Sequence, residues 1–332
     1  IRILPRGDLM SVIKLSHGSG GLGTNRLISE LILKHLANNL LSDLRDAAKL
    51  DRISSEIAFT TDSFVVTPEF FPGGDIGKLA IFGTCNDLAV SGAVPKYISL
   101  SFIISEGYEI VNLEKILMSI AGAARVAGVA VVCGDTKVVE RTKDPFIYVN
   151  TSGIGVMIKD INDYGAISEG DVVIISSGMA IMAARNEFGL ESSIVSDCCN
   201  LYDIFKNVGY EGIKFARDAT RGGVAAVLNE ISSKIGLGFE IRESDIPLLP
   251  EVGNLCEFFG FDPLTVANEG VAVLICDKNY SEKILQNMLE LDISKAASLV
   301  GFVKKGRVVV KNEFGGSRVV EIPTGELLPR IF

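Results

Sequence analysis

Histidine is scarce in this chain. His17 and His35 are its only two, and the six cysteines include no C-x-x-C pair. A compact zinc site of that spacing is therefore excluded. Adjacent Cys198 and Cys199 have no ligand set beside them, so buried thiols are the better reading, with metal binding through distant residues as the alternative. Cys133 likewise reads as a neutral thiol, because no neighbouring base would activate it. Positive charge is in deficit: 32 basic residues face 41 acidic ones, a formal charge of -9, which leaves no broad basic surface for nucleic acid. No segment has the order of a secretory signal, and no apolar run has membrane length. The expectation is a cytoplasmic protein with neither nucleic acid nor membrane as partner. The lysine-bearing phosphate loop G-x-x-x-x-G-K-[ST] is absent too, so any nucleotide must be held by another device.

What is present is apolar material in quantity. Hydrophobic residues make up 48% of the 332, enough for the cores of roughly two ordinary domains. Residues 1–10 carry little functional weight. After His17-Gly18-Ser19-Gly20-Gly21, the spacing of Leu27 and Leu31 predicts an entry helix from Thr24 to Leu41. Ile57 to Val66 has the β-branched and aromatic content of a strand interrupted by Asp62. A Pro/Gly turn then precedes a helix from Asp75 to Gly92, which carries Asn86 and Asp87. Strand Tyr97 to Ile104, helix Ile110 to Ala127 and a short buried strand Val129 to Val132 follow, which puts Gly134-Asp135-Thr136-Lys137 at a polar strand end. Pro145 to Met157 completes a first sheet. A second α/β series begins near Asp171: strand Val172 to Ser176, helix Met179 to Phe188, and a further helix through Ile235 introduced by Arg217 to Gly223. Beyond it come strand Val271 to Cys276, helix Tyr280 to Leu291, and short strands at Leu299 to Val303 and Arg307 to Val310. The expected division is 12–160, 168–318 and a tail, 319–332.

Three carboxylates, Asp62, Asp87 and Asp135, fall in apolar or glycine-rich contexts where a lone charge is costly. Gathered from strand and helix ends, they can hold Mg2+ linked to ATP. Gly18 to Gly21 can close over polyphosphate through backbone amides. Lys78 and Lys137 offer positive charge, and Asn86 can orient an oxygen ligand. Each has a plain alternative: a cap, a turn, a solvated helix residue or a surface ion pair. Ser19 and Thr220 can touch phosphate or simply cap turns, and Glu269 can be a carboxylate at the Gly270 turn.

Several separated blocks together resemble the HypE family of nickel-iron hydrogenase maturation proteins: His17 to Gly21, Thr61 to Val66, Phe70 to Lys78, Gly83 to Ala93, Gly134 to Val139, Arg217 to Val224, Asn268 to Gly270 and Pro329-Arg330. Through it the chain is similar to aminoimidazole ribonucleotide synthetase, selenophosphate synthetase and thiamine-monophosphate kinase. The resemblance implies an α/β fold of two domains, with N-terminal domains pairing into a barrel-like sheet across a homodimer. It implies magnesium-facing roles for Asp62, Asp87 and Asp135 with Asn86 in support. Gly18, Ser19, Gly20, Gly21 and Lys78 fall on the nucleotide side, and Asp218, Thr220 and Arg221 close the cleft.

The implied activity is ATP-dependent dehydration of a C-terminal S-carbamoyl cysteine to thiocyanate. The carbamoyl group comes from HypF, and the cyanide passes to iron on the HypC-HypD complex. Lys137 would steady the activated oxygen and Glu269 would accept a proton. Phe332 stands where the family carries its acceptor cysteine and has no sulfur to modify. Two other readings use the same fold: a nucleotide-binding scaffold for maturation partners, and a generic small-molecule synthetase or kinase.

Overall fold

Strand Ile57–Phe64 (β1) alternates exposed and covered side chains along its length, the period-two pattern of a sheet with one covered face. The computed structural model describes residues 11–42, 44, 47–53, 55–179, 194–220 and 222–322. Short strands Phe70–Phe71 (β2) and Gly74–Asp75 (β3) form a hairpin. β1 then joins Ala93–Ser105 (β4), Ala130–Val139 (β5) and Ile147–Met157 (β6) in a four-stranded sheet of order β1-β6-β4-β5. A second, seven-stranded sheet is built from Val172–Ile175 (β7), Ile213–Asp218 (β8), Gly238–Arg242 (β9), Ala272–Cys276 (β10), Ser298–Lys304 (β11), Val309–Lys311 (β12) and Ser317–Val319 (β13). Its order is β13-β12-β9-β11-β7-β10-β8.

The entry helix is shorter than expected and is broken into Leu22–Arg26 (α1), a π-helical stretch Leu27–Ile32, and Leu33–Leu36 (α2). It stops at Leu36 because Asn38 turns the chain: its Oδ1 accepts the amides of Leu40 and Leu41, and its Nδ2 donates to the Val131 carbonyl. Helix Ile76–Val90 (α3) starts where Asp75 accepts the amides of Gly77 and Lys78, an N-cap that satisfies two otherwise orphaned donors. Nearly every side chain of α3 is buried, the mark of a helix enclosed on all sides. It packs on β1, β4 and β6 of the first sheet and also touches β8 of the second. Ile110–Ala127 (α4) ends at Gly128 in the left-handed conformation, as a C-cap glycine should.

Helices Tyr202–Val208 (α5), Gly223–Ile235 (α6), Pro250–Phe259 (α7) and Ser281–Leu289 (α8) belong to the second half. Two apolar clusters fill the opposite faces of its sheet, one built around Val173, Phe239 and Val273 and the other around Ile174, Phe205 and Leu274. The helix expected at Met179 to Phe188 lies, apart from Met179, outside the described residues.

One strand departs from expectation in a way that matters for the site. β5 continues through Gly134, Asp135, Thr136 and Lys137 to Val139, so these residues lie within a strand and not at its end. β5 pairs only with β4 among the described residues, and an edge strand with one open face tolerates polar side chains that a central strand would not.

Candidate active site

Residues two apart on a strand share a face, as do residues three apart on a helix. Thr60 and Asp62 therefore project together from β1, and Thr84 and Asp87 from α3. The two pairs brace each other reciprocally. Thr60 Oγ1 donates to Asp87 Oδ2 at 2.7 Å, and Thr84 Oγ1 donates to Asp62 Oδ2 at 3.3 Å. Both carboxylates are half-buried and face a cleft of about 400 Å³, lined also by Thr61, Gly83, Asp218, Thr220 and Glu269. A second hollow of about 580 Å³ shares Asp62, Asp87, Asp218 and Thr220 and extends toward Phe59, Tyr164 and Phe215.

The second half contributes its polar groups through a strand end and a loop. Asp218 closes β8. The amide of the next residue, Ala219, donates to the Val271 carbonyl at 2.8 Å, and the Asn268 amide donates to the Ala219 carbonyl at 2.9 Å. Glu269 is thereby carried alongside Asp218. Its side chain is only 2% exposed, and its Oε1 has no hydrogen-bond partner.

Burial, with the Asp218, Asp197, Asp62 and Asp87 carboxylates nearby, holds the Glu269 carboxyl well above the ordinary range. Asp218 is pushed up to about 7 by burial and by Asp87 and Asp62, against the pull of Arg217. These acids crowd one low-dielectric space and resist ionising together. Such a site calls for a cation, and hard carboxylate oxygens suit Mg2+. Among the described residues no three acids converge as a closed metal cage.

Asn86 faces away from this cleft. It is buried in α3, and its side chain makes three hydrogen bonds, all to backbone of the second half: Nδ2 donates to the Glu269 carbonyl (2.9 Å) and the Cys199 carbonyl (3.0 Å), and Oδ1 accepts the Leu201 amide (2.8 Å). Lys78 Nζ donates to the Gly73 carbonyl at 2.7 Å, and its charge acts on the Asp197 carboxyl.

The remaining expected residues form a separate group. Asp135 and Lys137, both exposed, make an ion pair of 2.7 Å on β5, and the Lys137 hydrogen bond holds the Asp135 carboxyl below its usual range. Gly18 lies against the same strand: a Cβ there would stand 2.7 Å from the Val138 amide nitrogen, so the glycine admits the close approach. Ser19 Oγ donates to the Ser16 carbonyl, and the Gly20 amide donates to Thr24 Oγ1 within the Gly18 to Gly21 turn. A single chain thus holds two polar groups, with Asp135 and Lys137 on β5 at one edge of the first sheet and Asp62 on β1 at the other. Arg221 and Phe332 lie outside the described residues.

Sequence reasoning missed Asp197 and the bracing threonines. Asp197 Oδ2 accepts the Gly270 amide at 3.1 Å, its Oδ1 is buried without a partner, and burial pushes its carboxyl up to about 7. In the sequence, the neighbouring Cys198 and Cys199 are the only residues of its segment, Ser196 to Cys199, that carry a chemical signal. All six cysteines are free, and burial pushes the Cys199 thiol up to about 12 and the Cys198 thiol well above its ordinary value.

The AIR synthase related N-terminal domain family matches residues 44–157, and the corresponding C-terminal domain family matches 168–311. The carbamoyl dehydratase HypE of Escherichia coli K12 is 40% identical over 336 residues, covering 97% of this chain and all of the relative. The chain belongs to the HypE family. HypE is therefore the enzyme family, that of the carbamoyl dehydratases, in which this site is to be understood. A crystal structure of the HypE maturation protein in complex with ATP superposes with a TM-score of 0.90 at 38% identity, covering 96% of this chain and 99% of that one. A HypE–HypF complex structure superposes at 0.77 with 41% identity, covering 90% and 99%.

Proposed function

We propose that this chain binds ATP at the Asp62–Asp87 cleft and uses it to dehydrate an S-carbamoyl cysteine to thiocyanate, supplying cyanide for the iron of nickel-iron hydrogenase. The observation that carries the reading is the buried Glu269 carboxyl, with Oε1 unpartnered, lining the same cleft as two aspartates that threonine hydroxyls brace. The carbamoyl oxygen attacks the γ-phosphorus of ATP, and ADP departs. The nitrogen gives up one of its two protons to solvent; Glu269 then takes the other, the C–O bond breaks, phosphate leaves, and the carbon–nitrogen triple bond forms. A carboxylate held above its usual range is a stronger base than an exposed one, which suits that proton transfer. Asp62 and Asp87 would hold Mg2+, which neutralises phosphate charge when bound; Asp218 and Thr220 close the cleft, and Arg221 and Lys78 belong to the nucleotide side.

The second half-site, Gly18 to Gly21 with Asp135 and Lys137, is brought to the first by another copy of the chain. β1 and β5 are edge strands, and their shared sheet leaves Ile57, Phe59, Ile103 and Tyr148 exposed on one face. A homodimer joined edge to edge through the N-terminal domains (12–160) covers that face and carries one copy's Asp135 and Lys137 toward the other's Asp62. Lys137 then steadies the activated oxygen. The second domain, expected at 168–318, also takes in Val319 through β13 and Val320 through its core, and the substrate-bearing tail follows them. HypF supplies the carbamoyl group, and HypC-HypD receives the cyanide.

Phe332 offers no sulfur, so the test uses Phe332→Cys. The variant is carbamoylated with HypF and carbamoyl phosphate, freed of nucleotide, and given ATP with Mg2+. Intact mass should show loss of one water per carbamoyl group. Phosphate release without that loss overturns the reading.

A further inference from the structure

The Glu269–Gly270 peptide is gripped from two sides by side chains that never enter the cleft. From α3, Asn86 Nδ2 donates to the Glu269 carbonyl at 2.9 Å. From the segment that follows the second half's first strand in the chain, Asp197 Oδ2 accepts the Gly270 amide at 3.1 Å. The fit leaves no slack: a Cβ on Gly270 would stand 1.8 Å from the Asp197 carbonyl oxygen and 2.9 Å from Cys199 Sγ.

The grip is itself anchored in the first half. Ser196, next to Asp197, donates its amide to the Pro72 carbonyl at 2.8 Å, and Asn86 also takes the Leu201 amide and donates to the Cys199 carbonyl. Asn86 immediately precedes Asp87 in the helix. The same turn of α3 therefore sets the position of a proposed phosphate-side carboxylate and, through one hydrogen bond, of the proposed proton acceptor. Backbone peptides in loops are ordinarily satisfied by water or by neighbouring backbone, and two buried polar side chains spent on one peptide need a reason.

We infer that Asn86 and Asp197 are positioning residues which clamp the Glu269–Gly270 peptide between the two halves of the chain and so fix Glu269 relative to Asp87. The inference rests on the dehydratase reading above for its kinetic consequence, and on the hydrogen bonds alone for its structural one. A carboxylate misplaced by about 1 Å loses about 100-fold in a step that depends on its alignment.

The test uses the full chain carrying Phe332→Cys, loaded with carbamoyl, and follows dehydration in a single turnover beside ATP affinity by calorimetry and amide exchange at Gly270. Asp197→Ala and Asn86→Ala should each slow dehydration about 100-fold with ATP affinity within about twofold of the parent. Asp197→Asn keeps an oxygen that can accept the Gly270 amide and should recover most of the rate. Gly270 should exchange slowly in the parent and in Asp197→Asn, and fast in Asp197→Ala.

Parental rates in both alanine variants overturn the inference, as does equal loss in Asp197→Ala and Asp197→Asn. If an alanine variant does not fold, Asp197→Ser and Asn86→Ser decide by the same criteria. A parent that binds ATP yet never dehydrates the carbamoyl group sinks the functional reading. In that case Gly270 exchange alone decides the clamp: no change between the parent and Asp197→Ala overturns it.

Discussion

Asp62 and Asp135 face away from each other across one sheet. Their strands are the two edges of the order β1-β6-β4-β5. Register carries Asp62 to Thr151, Thr151 to Leu100, and Leu100 to Gly134, so Asp135 is one residue off Asp62's row and projects from the other face. Three strand spacings of about 4.8 Å put their backbones roughly 14 Å apart.

Binding of Mg-ATP should therefore depend on Asp62 and Asp87 by direct contact. Asp62→Asn or Asp87→Asn removes a charge from a half-buried wall of the cleft and should cost about 2 kcal/mol of ATP affinity in the presence of Mg2+, the scale of one hydrogen bond to a charged group. Titration calorimetry with and without Mg2+ measures it. Equal affinity in the parent and both variants removes the assignment.

Asp135→Asn is informative through assembly. If a second copy brings Asp135 to the cleft, its effect on ATP affinity should be present in the dimer and vanish in a chain made monomeric. Phe59, 67% exposed on the open sheet face, is the residue to charge. Sedimentation over a dilution series should give a dimer for the parent and a monomer for Phe59→Lys. A parent that is monomeric at micromolar concentration rejects the paired-edge arrangement.

The pH dependence of stability carries a definite sign. The Asp218 and Asp197 carboxyls are raised to about 7 by burial in the folded protein, against a usual value near 4. Between those values the native state binds more protons than the unfolded chain, so stability falls as pH rises. The contribution is complete below the unfolded value and lost on passing through about 7. Melting followed from about pH 5 to pH 8 should show this decline, and Asp218→Asn should flatten it. A dependence as steep in the variant as in the parent would count against Asp218 as a source.

Dehydration should run the other way. Glu269 must be deprotonated to accept a proton, and its carboxyl is held well above the ordinary range, so the rate should still be climbing at pH values above the usual carboxylate range in the Phe332→Cys chain. Glu269→Gln should abolish turnover while leaving ATP bound. Full dehydration by folded Glu269→Gln or Lys137→Ala withdraws that residue's role.

The sequence by itself determined the alternating α/β order, the positions of most strands and helices, and the polar residues worth attention. Those properties are written in local periodicity and in short blocks such as Gly83 to Ala93, most of which lies in the helix read from Asp75 to Gly92. Phe332 could be singled out only from the resemblance of neighbouring residues. Tertiary structure alone decided which acids meet. Asp62 meets Asp87 because a strand and a helix pack with Thr60 and Thr84 between them, and Asp135 is turned away because strand parity and sheet order fix face and edge together. Asp197 had no motif to mark it. Its carboxylate matters only because folding buries it against a peptide 73 residues further along, and no local pattern encodes a contact at that separation.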